Sequence, residues 1–250
     1  MGYFNIELKP TLSGANCITA FSAADLVADW EVKTVPTKKA FKVLGATCVE
    51  RGTEGATQAS SYELVFASPD SDGTAPSSLG TVNATINGTG FFRHLVGIYN
   101  VTTTADTIDT VNVSSPDNTD GNQNPDLIIE PSRVVNADGS IGFDGHGING
   151  KICIGVASQS GDPDFGTGVL TTGIVGASTS SVDITVDGVD ARKALAVGDV
   201  INAQDGAVVG TVTSIPDDTS VVVDAVAGAL ANNDELCNVN PVTFIIHCEY

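Results

Sequence analysis

Turn-forming dipeptides recur along the whole chain and constrain its fold more than any other feature. Asp-Gly occurs at 72–73, 120–121, 138–139, 144–145, 187–188 and 205–206, and Asn-Gly occurs at 87–88 and 149–150. Such a pair between apolar segments is a strong local signal for a β-hairpin, because both central residues of a type I′ turn need a positive φ. Eight signals in 250 residues, with little helical periodicity between them, predict an antiparallel all-β protein.

The segments between these turns alternate apolar and polar residues with the period of two that a half-buried strand needs. The predicted strands are 61–68, 91–99, 151–157, 181–187 and 242–250. In the last of them, alternate residues from Val242 to Tyr250 should lie on one face.

One short helix is predicted after residue 22. Ser22 can cap it, and Asp25 stands at the capping-box position. Leu26, Val27 and Trp30 form an apolar stripe at helical spacing.

Aromatic residues divide the chain into two parts. Residues 1–165 hold eight of the nine Phe, whereas residues 166–240 contain no aromatic residue. Val- and Ile-rich arms around hairpin turns make up the second stretch, as is typical of a small barrel. Phe244 and Tyr250 then return in the last predicted strand. We therefore predict an all-β, jelly-roll-like antiparallel sandwich of residues 1–165 plus 241–250, with a small β-barrel module at 166–240 inserted into it.

Charge is distributed unevenly. The chain has a net charge of −19, but residues 1–51 carry six basic and five acidic residues, which is a net +1. The remaining residues carry five basic and twenty-five acidic residues, which is a net −20. An acidic body of this kind repels nucleic acid and anionic membranes, so neither is predicted as a partner.

Targeting signals and cysteine spacing indicate where the chain folds. Glu7 and Lys9 stand where a signal peptide would need an apolar core, so secretion is not expected. The five cysteines are odd in number, widely spaced and lack a CxxC motif. Free thiols and folding in a cytoplasm are therefore predicted.

One loop has the composition of a calcium site. The candidate ligands are Asp117, Asp120, Asn122, Asn124 and Asp126. Their alternate spacing resembles the start of an EF-hand loop, but Pro125 occupies the glycine position and no Glu stands at the twelfth. A polar surface loop is the alternative, and no metal or other cofactor is predicted.

No assembled catalytic motif is present in the sequence, which lacks GxSxG, HExxH, a Walker loop and zinc-ligand spacing. His94 lies on an apolar strand face, as expected of a hydrogen-bonded core imidazole, and His146 lies in a glycine-rich turn. A carboxylate pair of the glycosidase kind stays open as an alternative. We predict that the protein is not an enzyme.

The segment 32–44 is basic in an otherwise acidic protein. It has two interpretations: an edge strand protected by lysines, or a docking surface for an acidic partner. A docking surface would combine the lysines with an apolar anchor. The candidate docking residues are Trp30, Lys33, Val35, Lys38, Lys39, Phe41 and Lys42.

Three segments carry a family resemblance. They are SLGTVNATINGTGFFRHLVGIYN (78–100), LAVGDVINAQDGAVVGTVTSI (195–215) and NNDELCNVNPVTFIIHCEY (232–250). These segments are similar to virion structural proteins of tailed phages, above all those of phages that infect cyanobacteria. The resemblance extends from about Arg51 to the C-terminal residue and does not include residues 1–50.

The resemblance implies a non-enzymatic particle component folded in the host cytoplasm. The expected role is a head decoration (cement) protein on the outer capsid surface, bound to the major capsid protein as a homo-oligomer around a symmetry axis. The alternatives are a tail or receptor-binding component of the virion and a carbohydrate-binding β-sandwich module.

Overall fold

The computed structural model describes most of the chain. The described residues are 2–12, 14–37, 39–51, 54, 60–102, 105–108, 111–114, 127–143, 150–160 and 162–250. The predicted calcium loop at 117–126, Lys38 and His146 lie outside them.

Strands account for nearly all of the regular structure. The first eleven strands are β1 (Tyr3–Leu8), β2 (Leu26–Val35), β3 (Phe41–Arg51), β4 (Ser61–Ala67), β5 (Leu95–Val101), β6 (Ala105–Ile108), β7 (Val111–Ser114), β8 (Ile128–Ile129), β9 (Arg133–Val135), β10 (Ile141–Phe143) and β11 (Gly150–Ser160). The others are β12 (Val169–Thr171), β13 (Val182–Gly188), β14 (Val200–Ala203), β15 (Val208–Asp217), β16 (Ser220–Val223), β17 (Leu236–Asn238) and β18 (Val242–Glu249). A 3₁₀ turn spans Gly14–Cys17, and the short helix α1 spans Ala191–Ala194.

Two antiparallel sheets share one core. The first has the order β1-β18-β3-β7-β6, with β8 also paired to β3, and the second has the order β2-β11-β4-β5. Alternation in β18 buries Val242, Phe244, Ile246 and Cys248, as predicted. Phe244 meets Tyr62 of β4 edge to face, with ring centroids 5.1 Å apart. The shared core confirms the sandwich-like, all-β fold class.

A third sheet has its own core. Its order is β12-β13-β16-β15-β14-β17, and a bridge between Leu170 and Glu235 nearly closes it into a barrel. Its apolar cluster consists of aliphatic side chains such as Ile184, Ile201 and Val221. The barrel has a core of its own because small aliphatic side chains fill its narrow interior without any aromatic side chain.

The two ends of this barrel lie side by side. The hydroxyl of Thr167 donates to the carbonyl of Leu236 at 2.6 Å, and the N–H of Gly168 donates to the carboxylate of Glu235 at 2.8 Å. Immediately after the barrel, β18 pairs with β1 on one side and β3 on the other.

The predicted helix after Ser22 is wrong. The local signal forms a single turn, in which the Ser22 N–H donates to the Asp25 carboxylate at 2.8 Å and the Asp25 N–H donates to the Ser22 carbonyl at 3.1 Å. Strand β2 then begins at Leu26 and pairs with β11. Extended backbone points neighbouring side chains to opposite faces of the sheet, and it buries Leu26 and Val27 in two different apolar clusters.

Asp-Gly at 138–139 joins the paired strands β9 and β10, and Asp-Gly at 205–206 joins β14 and β15, as predicted. The pair at 187–188 instead lies within β13, and the pair at 72–73 turns the connection between β4 and β5. The described turns differ in backbone from type I′. At 72–73, 138–139 and 205–206, glycine has a φ of 79°, 79° and 90°, while the preceding aspartate keeps a negative φ. Each aspartate instead accepts a hydrogen bond on Oδ1 from the backbone N–H two residues later, at 3.0, 2.9 and 2.8 Å. The aspartate side chain therefore stabilises the turn, and only the glycine needs the left-handed region.

Candidate functional site

Two residues of the predicted docking segment belong to the core. Val35 ends β2 and Phe41 begins β3, and each side chain is 1% exposed. Phe41 packs edge to face on Phe4, with ring centroids 5.1 Å apart. Because a side chain without accessible surface cannot touch a partner, the anchor role predicted for Val35 and Phe41 is wrong.

The described lysines of this segment differ in exposure. Lys33 lies on β2, at the end of its sheet's strand order, and forms an ion pair with Glu31 at 2.5 Å. Lys42 is half-buried on β3, whereas Lys39 is exposed between the two strands. The structure thus places the paired ammonium group of Lys33 on the β2 edge and the exposed side chain of Lys39 on the connection that follows β2.

Trp30 is half-buried beside that edge. Its indole N–H donates to the carbonyl of Ser77 at 3.0 Å, and its ring meets Phe91 edge to face at 5.3 Å. Both rings belong to a small apolar cluster built around Leu26 and Leu79. Most of the Trp30 ring therefore contributes to folding, and only its outer part is available to a partner.

A groove lies where the connection between β4 and β5 meets the turn after β9. It has a volume of about 450 Å³ and combines polar side chains with one exposed ring. We call it the Phe92 groove. The side chains that define it are Asp70, Phe92, Arg93, His94, Asn136 and Asp138.

One wall of the Phe92 groove is a turn at 91–94, which the sequence predicted as strand. The His94 N–H donates to the Phe91 carbonyl at 2.8 Å, and β5 begins only at Leu95. Phe91 is therefore buried against Trp30, while Phe92 points outward and is 78% exposed.

Arg133 holds this turn in place. Its guanidinium donates to the Ser68 hydroxyl at 2.7 Å and to the carbonyls of His94 and Arg93 at 3.3 and 3.2 Å. Since a guanidinium presents its donors in a rigid fork, these three bonds fix the backbone on which Phe92 and Arg93 are mounted.

His94 is a buried, hydrogen-bonded imidazole, as predicted. Its Nδ1 lies 2.9 Å from the Ser68 carbonyl, which can only accept, so Nδ1 carries the proton. Its Nε2 faces Oδ1 of Asp70 at 3.6 Å, too far for a direct hydrogen bond. Both residues line the Phe92 groove.

The opposite wall is the Asp138–Gly139 turn. Oδ1 of Asp138 accepts hydrogen bonds from the Ser140 hydroxyl at 2.6 Å and the Ser140 N–H at 2.9 Å. These bonds, in that order, and the positive charge of Arg93 lower the pKa of Asp138. Asn136 donates to the Ser140 hydroxyl at 3.0 Å, so both polar side chains have fixed positions.

The sequence indicated the parts of this groove but not their assembly. The Asp-Gly pair at 138–139 predicted its turn, and His94 was expected to be buried. Phe92 was missed because 91–99 was predicted as one strand, in which Phe92 shares the apolar face of His94. No local pattern could show that Asp70 and Asn136 face the same space.

Metal-ligand clusters and membrane-spanning helices are absent from the described ranges. Within them, no group of three or more His, Cys, Asp or Glu side chains could hold a metal ion. The same residues include no helix that is long and apolar enough to cross a membrane. All five cysteines are buried free thiols, as predicted.

No protein-family model, curated protein or solved structure matches this chain.

Proposed function

We propose that this chain is a decoration protein of a tailed-phage head, bound to the major capsid protein on the outer surface as a symmetric homo-oligomer. The observation that carries the proposal is the resemblance of residues 78–100, 195–215 and 232–250 to phage virion proteins. These segments supply strands to all three large sheets: β5, then β14 and β15, then β17 and β18. The resemblance therefore extends over strands of all three large sheets, but it does not include β1, β2 or most of β3.

The distribution of charge supports a particular orientation. The body of the protein carries a net −20 outside residues 1–51, so it repels an acidic shell. Attraction is concentrated at exposed Lys39, on the connection that follows β2, because Glu31 offsets the charge of Lys33 on the β2 edge. We assign this edge to the capsid and the acidic remainder to solvent, with the outer part of Trp30 as the apolar contact.

Locating the chain in the particle tests the proposal. Cryo-EM and quantitative gel analysis of purified virions should find it on the head in tens to hundreds of copies, a number set by capsid symmetry. A few copies restricted to the tail tip would contradict the proposal and support a receptor-binding role. Absence from the virion would overturn both.

Charge reversal tests the orientation. Lys39→Glu should slow attachment to undecorated capsids about tenfold at low salt, because charges at the rim of an interface act mainly on the association rate. The matched control is Lys193→Glu in α1, on the barrel. Equal attachment rates for the two folded variants would exclude the β2 edge as the docking surface.

A further inference from the structure

We propose that the Phe92 groove is a binding site for a neutral saccharide. In this assignment Phe92 is the platform on which the apolar face of a sugar ring stacks. Arg93, Asn136 and Asp138 then hydrogen-bond its hydroxyl groups, and the polar pair of His94 and Asp70 receives a further hydroxyl. The groove uses none of the residues assigned to capsid docking, so this site is independent of the proposed function.

The exposed ring is the first argument. Phe92 is 78% exposed, although its neighbour Phe91 is 8% exposed. Large apolar side chains at the rim of a cavity mark binding sites more often than isolated surface positions do. Here the backbone that carries the ring is also held, because Arg133 binds the carbonyls of Arg93 and His94. A platform on a fixed backbone loses less entropy when a ligand stacks on it.

The polar lining is the second argument. Ser140 holds Asn136 and Asp138, both of which line the groove, through hydrogen bonds of 3.0 and 2.6 Å. Sugar hydroxyls both donate and accept, so they match a wall that combines amide, carboxylate and guanidinium groups. A predominantly apolar ligand would leave these groups without partners, at a cost in affinity.

The third argument concerns charge and size. Asp70 and Asp138 contribute two negative charges, and Arg93 and Arg133 contribute two positive charges at or beside the groove. This balance favours an uncharged ligand over a phosphate or a uronic acid. The volume of about 450 Å³ lies within the ~300–1,000 Å³ that is typical of small-ligand sites.

The hydrogen-bond geometry of His94 and Asp70 adds specificity. With Nδ1 donating to the Ser68 carbonyl, Nε2 is the ring nitrogen that faces Oδ1 of Asp70, 3.6 Å away. A ligand hydroxyl at this position can donate to the Asp70 carboxylate, which selects ligands that offer a donor there.

The test begins with the full chain on a printed array of neutral hexose, N-acetylhexosamine and uronic acid oligosaccharides. We expect reproducible binding to one class of neutral glycan, followed by calorimetric titration with that oligosaccharide. Phe92→Ala should weaken binding about tenfold, and Phe92→Tyr should restore it, because an aromatic face is what the site requires. Asn136→Ala should weaken binding by a similar factor.

The matched control is Phe143→Ala. Phe143 is also an exposed aromatic residue, 63% exposed, but it does not line the groove. Its replacement should leave affinity unchanged, and thermal unfolding of every variant should match that of the parent protein. Binding that survives Phe92→Ala, binding confined to uronic acids, or no binding to any glycan would each overturn the assignment. None of these results would affect the capsid proposal, which depends on the location of the chain in the virion.

Discussion

The phenol of Tyr62 donates a hydrogen bond to Oε2 of Glu50 at 2.9 Å, in the interior between the two facing sheets. Tyr62 belongs to β4 of one sheet and Glu50 to β3 of the other, and their exposed fractions are 0% and 1%. The Ser60 hydroxyl donates to Oε1 of the same carboxylate at 2.9 Å. Burying a carboxylate costs free energy unless hydrogen-bond donors satisfy it. The bond from Tyr62 therefore fixes how the two sheets are positioned against each other.

Removing the phenol should therefore destabilise the sandwich. Tyr62→Phe should lower the free energy of unfolding by about 1–3 kcal/mol, because it leaves one oxygen of a buried carboxylate without that donor. Urea unfolding monitored by circular dichroism measures the change. The control is Tyr3→Phe, at a side chain that is 68% exposed, which should stay within about 0.5 kcal/mol of the parent. Equal stabilities for the two variants would contradict this role.

Alkaline pH should weaken the fold. Burial, followed by the charge of Glu50, raises the pKa of Tyr62 well above its ordinary value. Burial likewise raises the pKa of Cys153 and of Cys248 to about 12. In the unfolded chain these groups lose their protons near pH 8.5 for a thiol and about pH 10 for tyrosine. Their contribution to stability is thus complete below about pH 8 and is lost as the pH rises toward the folded values.

The slope of that loss is measurable. Each such group should lower the free energy of unfolding by about 1.4 kcal/mol for each pH unit between its pKa in the unfolded chain and its pKa in the folded protein. Urea unfolding between about pH 8 and pH 11 should show the decline, and replacing Cys153 and Cys248 by Ala should make it shallower. Stability that is constant over this range would contradict the burial of these groups.

Trp30 should act mainly as a folding residue. Trp30→Ala removes the edge-to-face contact with Phe91 and the hydrogen bond to Ser77. We expect a loss of roughly 2–3 kcal/mol, less than the ~3–5 kcal/mol of a fully buried aromatic residue. Thermal unfolding tests this against Phe143→Ala, which should be nearly neutral. If Trp30→Ala left the stability unchanged, Trp30 would act only as a surface residue, as the docking prediction requires.

Gly139 should not tolerate a side chain. Its φ is 79°, and a β-carbon there would lie 1.6 Å from Nη1 of Arg93. Gly139→Ala should cost about 1–2 kcal/mol from the left-handed backbone alone and displace Arg93 from the Phe92 groove. The control is Gly176→Ala, where no atom lies within 4 Å of the added carbon. A Gly139→Ala variant as stable as this control would show that the turn relaxes freely.

The barrel formed by β12 to β17 should fold as a unit. Its apolar cluster is separate from that of the sandwich, and hydrogen bonds from Thr167 and Gly168 join its two ends. We propose that residues 166–240, expressed alone, unfold cooperatively and show dispersed amide signals by NMR. A disordered fragment would mean that contacts with the sandwich, such as the ion pair between Arg51 and Asp199, are required.

Local patterns were sufficient for the fold class and for most turn positions. Asp-Gly pairs and period-two alternation act over a few residues, and the side chains of Asp72, Asp138 and Asp205 stabilise their turns without distant contacts. The return of aromatic residues at Phe244 and Tyr250 predicted that the last strand differs from the barrel, and β18 pairs with β1 and β3. The sequence by itself therefore determined the type of architecture.

Only the tertiary structure decided what segments 22–30 and 91–94 become. The capping signal at Ser22 is satisfied within one turn, but pairing with β11 extends the chain from Leu26, because burial along a whole strand outweighs a cap. The Phe92 groove likewise depends on distant contacts. Asp70, Phe92 and Asn136 come from three separate segments. The hydrogen bonds of Arg133 to Ser68, Arg93 and His94 hold the segments of Asp70 and Phe92 together, and they form only when distant parts of the chain meet in the folded protein.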